Sequence, residues 1–520
     1  MFHRSRKFRK TKLKSRHLLC MLPLLTAPQI RDADAYTIAH EPISSVDLME
    51  RASKAFVSWF VNHFPNKRQA ISVYCGTGNN GGDGLAIARL LFEHDYKQIN
   101  IKITRYSSKS TDDLSVNLDR VKQLPIQVIE LSEADTLPEE NADILIDALL
   151  GSGLNKPLEG NYKGLVTYLN GLNKTVVAVD VPTGFYTDGE IDAEAIVLKA
   201  DLVITFQQPK INFLLPESAP HIDCWEAVNI GLDEGFIKSL QSPYQMVEDK
   251  DIKAILKPRA RFSHKGTFGH ALIIAGQAKT MGAALLCSSA CVYTGAGLTT
   301  ACIPESGLTA LNSYQAEVMA IVRNDYALPD LELDKYSTIA IGPGLGKSDD
   351  ALALLQYVLN EYDKPIVVDA DALNLLAANH KLLEQLPTGS VITPHMKEFD
   401  RLFGDHSSWW QRLQTMRKKA QELNIYIILK NSYTITGIPE GKLFFNSTSN
   451  AAMAVGGMGD VLTGILTAML AQKYTPEQAC LAAVYLHGKA GDELALPNRL
   501  QVVLPGQVAA RIPATVAKML

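Results

Sequence analysis

The chain has 520 residues, 47% hydrophobic and 20% charged, so it can bury sizeable cores and is not disordered in bulk. A net charge of −4 with a pI near 6.3 argues against a general nucleic-acid binder. The seven cysteines, with no C-x-x-C spacing, read as reduced core residues of a cytosolic protein, and no apolar run reaches the length of a membrane span.

Eight Lys or Arg and no acid lie between Arg4 and Arg16, and an apolar stretch at 18–25 follows. A basic start before an apolar run is the layout of a secretory signal. Pro23 interrupts the run, however, and no A-x-A site follows. Residues 1–20 are therefore expected to be a dispensable disordered extension, or a start read too early with Met21 the true start. Residues 44–64 carry apolar side chains at helical spacing, with Ser44 and Asp47 set as in a capping box. Apolar, β-rich runs then alternate with helical patterns at 70–75, 99–105, 143–149, 175–180 and 201–206. Near-continuous apolar strands between helices imply a parallel sheet covered on both faces. Ligands of such sheets bind beyond the carboxyl ends of the strands. The glycine-rich and polar segments fall there: G-T-G-N-N-G-G-D-G after the first strand, 147–157, and D-V-P-T-G at 180–184. The pattern pauses across 233–261, a mixed and charged stretch, and restarts at His270. Strands follow at 270–276, 337–341, 365–369, 390–393 and 425–430, and long apolar helices close the chain. Two α/β domains are expected, at 21–235 and 245–520.

Gly76, Gly78 and Gly81 form G-x-G-x-x-G between a strand and a helix, where backbone N–H groups can hold a pyrophosphate. A plain dinucleotide fold would also want an acid ending the second strand, and Thr104, Arg105 and Tyr106 stand there instead. The alternative is a tight strand-to-helix turn. The segments N-N-G-G-D-G, D-A-L-L-G-S-G-L and V-D-V-P-T-G, in this order, resemble the signatures of the NAD(P)H-hydrate epimerase (YjeF N-terminal) domain. The resemblance implies a Rossmann-like three-layer domain that interconverts the two C6 epimers of hydrated NADH or NADPH. By position it implies substrate contacts at Asn79, Asn80, Gly81, Gly82 and Asp83, and at Gly151, Ser152, Gly153, Leu154, Asn155, Lys156 and Pro157. Asp180 is implied as a further contact and as the acid/base group, and Asn80, Asp147 and Thr183 as a K+ site. The chemistry is coherent. Epimerisation at C6 needs ring opening or proton transfer, which a strand-end carboxylate can serve. Amide, carboxylate and hydroxyl oxygens are hard ligands suited to a non-redox cation.

In the second half, I-G-P-G-L-G-K-S at 341–348 misses the P-loop spacing by one position, since Ile341 stands where Gly is required. G-G-M-G-D-V-L-T-G at 456–464 is the stronger signal. Glycines lead into a helix whose first turn holds Asp460, beside unpaired N–H groups that favour an anion. There Asp460 can act as general base toward a hydroxyl, or merely cap the helix. Asp369 reads as a strand-end polar group, Asp371 as a helix cap, and His395 alone as a surface or capping histidine. This half resembles the ribokinase-like ADP/ATP-dependent NAD(P)H-hydrate dehydratase (YjeF C-terminal) domain. Its signatures are K-G-T-F-G-H-A-L-I-I-A-G, G-A-G-L, G-P-G-L-G, D-A-D-A-L-N, T-P-H-M-K-E-F and G-G-M-G-D. The resemblance implies that the C6 hydroxyl is phosphorylated and phosphate eliminated to restore NAD(P)H. It implies substrate contacts at Ala283, Gly344, His395 and Asp460. Adenine-nucleotide contacts are implied at Lys430, Asn431, Ser432, Tyr433, Thr434 and Gly459. Asn431 stands where the family has Gly.

Together the two resemblances imply a bifunctional repair enzyme for hydrated nicotinamide nucleotides. ADP is the expected phosphoryl donor, ATP the alternative, with Mg2+ accompanying the nucleotide. The expected partners are small molecules (hydrated NADH, hydrated NADPH and ADP), with no nucleic acid, no membrane, a cytoplasmic setting and a homo-oligomeric assembly. One rival is a ribokinase-type small-molecule kinase fused to a non-catalytic Rossmann-like module. Another treats the first domain as a protein- or RNA-binding module. The intact N-N-G-G-D, Asp147 and Asp180 argue against that second rival.

Overall fold

The computed structural model describes residues 21–107, 109–133, 135, 137, 139–323 and 331–520; the extension expected at 1–20 lies outside the described residues. Eighteen strands are numbered in chain order among them. A two-residue strand, β1 (Leu22–Pro23), comes first. Seven strands follow: β2 (Ile71–Cys75), β3 (Ile99–Thr104), β4 (Gln127–Leu131), β5 (Ile144–Ala148), β6 (Thr175–Val179), β7 (Ala200–Phe206) and β8 (Ile222–Val228). They form one parallel sheet in the order β4-β3-β2-β5-β6-β7-β8. This is the doubly wound order, in which the chain builds outward from β2, then returns to its other side at β5. The central strands β2 and β5 are buried at every position, as their unbroken apolar runs require. Direction reverses between β2 and β5, so their carboxyl ends bound a crevice.

The glycines after β2 make the crevice tight. A Cβ on Gly76 would lie 1.9 Å from the Leu149 carbonyl oxygen, and one on Gly81 would lie 2.0 Å from that of Gly76. The helix Asn79–Glu93 therefore begins hard against the loop after β5, with Gly78 as its N-cap. The expected helix at 44–64 is Ser45–His63, capped by Ser44. Its capping box is only half made. Ser44 Oγ accepts the Asp47 N–H at 3.1 Å, but the Asp47 carboxylate takes the Ser44 hydroxyl at 2.6 Å instead of a backbone N–H.

The second sheet contains β9 (Tyr244–Val247), β10 (His270–Ile274), β11 (Leu298–Pro304), β12 (Met319–Arg323), β13 (Thr338–Ile341), β14 (Ile366–Val368), β15 (Val391–Ile392), β16 (Tyr426–Leu429), β17 (Ile435–Gly437) and β18 (Leu443–Asn446). Its order is β1-β9-β18-β17-β16-β15-β14-β13-β10-β11-β12, with β12 through β16 parallel and two antiparallel pairings at β17. Alternate residues of each strand enter two cores. Ala271, Ile273, Ala340 and Val367 pack with helices Met281–Thr294 and Met458–Ala471, while Leu272, Ile274, Ile339 and Val368 pack with Asp349–Glu361 and Trp409–Leu423. Direction reverses again, between β10 and β13.

The two halves are stitched together. β1 pairs antiparallel with β9, so Leu22–Pro23 belongs to the second sheet although the chain then builds the first. Ile211, Leu214 and Leu215, which follow β7, are buried in the second domain's core. Glu217 accepts the Trp409 N–H at 2.6 Å, and Glu190 accepts from Ser407 and Gln411 at 3.0 Å each. Of the cysteines described, five are buried and free; Cys224, on edge strand β8, is exposed, contrary to the core reading. No helix among the described residues is long and apolar enough to cross a membrane.

Candidate active sites

A cavity of about 530 Å³ opens at the carboxyl ends of the first sheet. Asp147, the penultimate residue of β5, is 1% exposed and, like Thr183, is not among the residues that line the cavity. Its carboxylate accepts the Thr183 N–H and hydroxyl at 2.7 Å each and the Leu149 N–H at 3.2 Å. Burial pushes it up to about 6, against those hydrogen bonds. The Thr183 hydroxyl in turn accepts the Leu150 N–H at 3.1 Å. Asn80 lies against the same loop: a Cβ on Gly151 would sit 3.1 Å from its amide oxygen, and its Nδ2 is buried without a partner. Asp180 follows β6 in a left-handed conformation, φ +63°. Its Oδ1 accepts the Thr205 hydroxyl at 3.1 Å, the Phe206 N–H at 2.9 Å and the Lys210 ammonium at 2.8 Å.

Of the residues predicted for this site, Asn79, Asn80, Asp83, Gly151, Ser152, Gly153, Leu154 and Asp180 line the cavity. Gly81 and Gly82 are buried within the helix, Gly82 facing the Met49 sulfur, and serve its close packing. Asn155, Lys156 and Pro157 are exposed beyond the lining. Among the cavity residues that escaped the sequence reading are three charged ones, Arg31, Asp34 and Lys210. Lys210 follows β7 in Q-Q-P-K, and a strand-end cation was the signal for it. Asp34 comes from the helix Ala27–His40, whose weak apolar pattern gave no signal.

The second site lies where β14 and β16 end and the helix Met458–Ala471 begins. Gly457, at φ +98°, is the N-cap, and Asp460 sits in the first turn as a helical residue rather than the cap. Asp369 is 1% exposed. Its two oxygens take the Lys430 ammonium at 2.9 Å and the Thr463 hydroxyl at 2.8 Å. Gly459 crosses close by: a Cβ there would lie 3.3 Å from Lys430 Nζ. Burial and the nearby Asp369 push Asp460 up to about 7, with Lys430 opposing. Burial alone would lower the Lys430 ammonium, but Asp369, Glu398 and Asp460 outweigh it and hold it charged.

Ala283 and Gly344 meet, with 3.0 Å between the Ala283 Cβ and one built on Gly344. His395 caps the helix Met396–Phe403, its Nδ1 accepting the Glu398 N–H at 3.2 Å; its backbone bridges to Lys430 and its side chain stays 50% exposed. Both polar atoms of the Asn431 side chain are buried without partners, and its φ is not positive, so the loop accommodates a side chain where the family has Gly. Thr434 donates to the Asn431 carbonyl at 2.9 Å, and the Ser432 carbonyl accepts from Ser449 at 2.6 Å. Tyr433 turns toward Trp225 of the first domain, ring centroids 6.4 Å apart. Asp371 does not cap its helix: the helix begins at Asp371 itself, after Ala370 at φ +51°, and the carboxylate accepts the Gly346 N–H at 2.8 Å. His487 was not foreseen. Burial and Lys430 drive it down to about 4, so it is neutral beside the start of the Asp460 helix.

Two α/β domains, one with two carboxylates in a cavity and one with a raised carboxylate at a glycine-led helix start beside a lysine, define a two-site α/β enzyme. Residues 45–212 match the model of the YjeF-related protein N-terminus, and residues 271–514 that of NAD(P)H-hydrate dehydratase. A bifunctional NAD(P)H-hydrate repair enzyme of Coxiella burnetii is 34% identical over 478 residues, spanning 90% of this chain and 94% of that protein. Enzymes of the same description from Moorella thermoacetica (30% identical, 94% and 96% covered) and Escherichia coli (32%, 86% and 85%) align comparably. The chain belongs to the bifunctional NAD(P)H-hydrate repair enzymes.

Proposed function

We propose that the first domain interconverts the R and S forms of hydrated NADH and NADPH, and that the second dehydrates the S form at the expense of ADP, giving AMP and phosphate. The observation that carries this reading is the presence, in one chain of this family, of two separate carboxylate sites at the ends of two sheets. Neither site suffices alone. Epimerisation leaves the hydrate intact, and a stereospecific dehydratase strands the other epimer.

In the first site, the open N-terminus of Asn79–Glu93 at Gly78, where a Cβ would meet nothing within 4 Å, suits the substrate's pyrophosphate. Asp147, Thr183 and the Asn80 amide oxygen are a hard-oxygen donor set gathered about one loop, and they fit K+. Bound there, K+ would offset the buried Asp147 charge. Asp180 is the proton acceptor, its Oδ1 held in place by Lys210 and two neutral donors.

In the second site, Asp460 takes the C6 hydroxyl proton as that oxygen bonds to the terminal phosphorus of ADP. The bond from phosphorus to its bridging oxygen breaks, and AMP leaves. The first-turn N–H groups and Lys430 face the charge in transfer, and Asp369 holds Lys430 in place. The C6–O bond then breaks, phosphate departs with the electron pair, and loss of a C5 proton forms the C5=C6 double bond. Mg2+ would accompany the nucleotide, held by its phosphate oxygens and offsetting their charge. Incubating the hydrate with ADP or with ATP tests the reading. It predicts restored dihydronicotinamide absorbance with AMP accumulating under ADP. A phosphorylated hydrate that accumulates without that absorbance would favour a small-molecule kinase.

A further inference from the structure

We propose that Asp34 is the second catalytic carboxyl of the first site, protonating the ring nitrogen N1 of the hydrated nicotinamide while Asp180 takes the proton of the C6 hydroxyl. This rests on the epimerase reading of the cavity.

The placement is specific. Asp34 lines the same cavity as Asp180 but comes from the helix Ala27–His40, outside both sheets. That helix is pinned on either side of it. Ala27 N–H donates to Asp188 at 2.9 Å; the Thr37 hydroxyl donates to the Ala33 carbonyl at 2.8 Å and accepts the Asp233 N–H at 3.0 Å. Ala33 and Thr37 are fully buried. Asp34 is thus presented to the cavity by a fixed element.

Its surroundings are opposite to those of Asp180. Three donors, one of them Lys210, converge on the Asp180 carboxylate. Among the described residues none donates a hydrogen bond to the Asp34 carboxylate; burial, then the Asp180 charge, push it up to about 6, with Lys210 opposing. Two carboxyls of one cavity in such different surroundings, one bonded to an ammonium and two neutral donors and the other buried without them, are placed to divide into base and acid. Asp83, the remaining cavity carboxyl, is also raised, by burial first and then by Asp180, Asp34 and Asp113; it belongs to the first turns of the helix Asn79–Glu93, on the side of the proposed pyrophosphate site.

The step balances. Asp180 removes the hydroxyl proton, and the O–H pair becomes the second bond of C6=O. The N1–C6 bond breaks, its pair passes to N1, and Asp34 delivers a proton there. The product is a ring-opened aldehyde with an N–H group. Rotation about C5–C6 presents the other carbonyl face; Asp34 takes back the N1 proton, Asp180 returns one to oxygen, and the ring closes as the other epimer. No oxidant or cofactor is consumed.

The test measures epimerisation of purified R hydrate of NADH in full-length wild-type, Asp34→Asn and Asp34→Glu proteins, across pH. The expected result is a kcat loss of roughly 10²–10⁴ in Asp34→Asn with KM within a few-fold, and partial recovery in Asp34→Glu. The groups facing Asp34 are Asp180, Lys210 and Asp83, with Arg31 on its own helix. Asp34 acts protonated, so wild-type kcat/KM falls as pH rises past about 6, and Asp34→Asn lacks that limb. Dehydration of the S hydrate by the same preparations establishes that each variant is folded. Asp34→Asn epimerising within about threefold of wild type, or losing only KM, overturns the assignment. Wild-type protein that does not epimerise at all overturns the epimerase reading instead.

Discussion

Asp460 is the residue on which dehydration turns. A carboxylate raised to about 7 by burial and Asp369 is poised to accept a proton near neutral pH. Asp460→Asn keeps the shape and removes the base, so dehydration should fall roughly 10²–10⁴-fold while epimerisation persists. The pH dependence has a definite sign. The pKa is raised, and the base acts ionised, so kcat/KM for dehydration should decline as pH falls through about 7. An unchanged rate in Asp460→Asn would move the base elsewhere, with Asp369 next in reach. Asp460 was legible in the sequence because glycines before an acid in a helix's first turn form a local pattern. Asp34 was not. It has no local signature, and its relation to Asp180 exists only once a helix some 150 residues earlier in the chain reaches the cavity that Asp180 also lines. Lys430 was foreseen as a nucleotide contact, but its pairing with Asp369 joins two strand ends that only the sheet order brings together.

At the level of elements, the glycines after β2 separate packing from binding. A Cβ on Gly81 would strike the Gly76 carbonyl at 2.0 Å, whereas one on Gly78 would meet nothing within 4 Å. Gly81→Ala should therefore cost about 1–3 kcal/mol by overpacking and impair epimerisation. Gly78→Ala should cost less than about 1 kcal/mol, mainly through the poorer N-cap. Thermal midpoints of the two variants check this, and equal losses would contradict it. The contrast between buried and open explains only part of which strands the sequence revealed, since β11, β17 and β18 are buried yet were not expected. β2, β5 and β6 are almost wholly buried, and their apolar runs announce them. β4 and β12 are edge strands with exposed or half-exposed positions; Gln127 and Glu130 break the apolar run of β4, while β12 is an apolar run that the sequence reading missed. β1 and β9 have two and four residues, too few for a period to register.

Across the whole molecule, the first cavity is tied to the second sheet by the chain's own path. Leu24 is buried in the second domain's core, its N–H on the Tyr244 carbonyl at 2.9 Å, while Leu25 and Ile30 line the first cavity. Trp225 of the first domain meets Tyr433 in the loop assigned to the nucleotide. The sites themselves stand at the ends of different sheets, and the central claim is that they act in series on one mixture. The most direct measurement follows dihydronicotinamide absorbance from an equal mixture of R and S hydrates of NADH with ADP, comparing wild type with Asp180→Asn. The account predicts that wild type recovers NADH from the whole mixture, while Asp180→Asn stops once the S half is consumed. Full recovery by Asp180→Asn at the wild-type rate would contradict it.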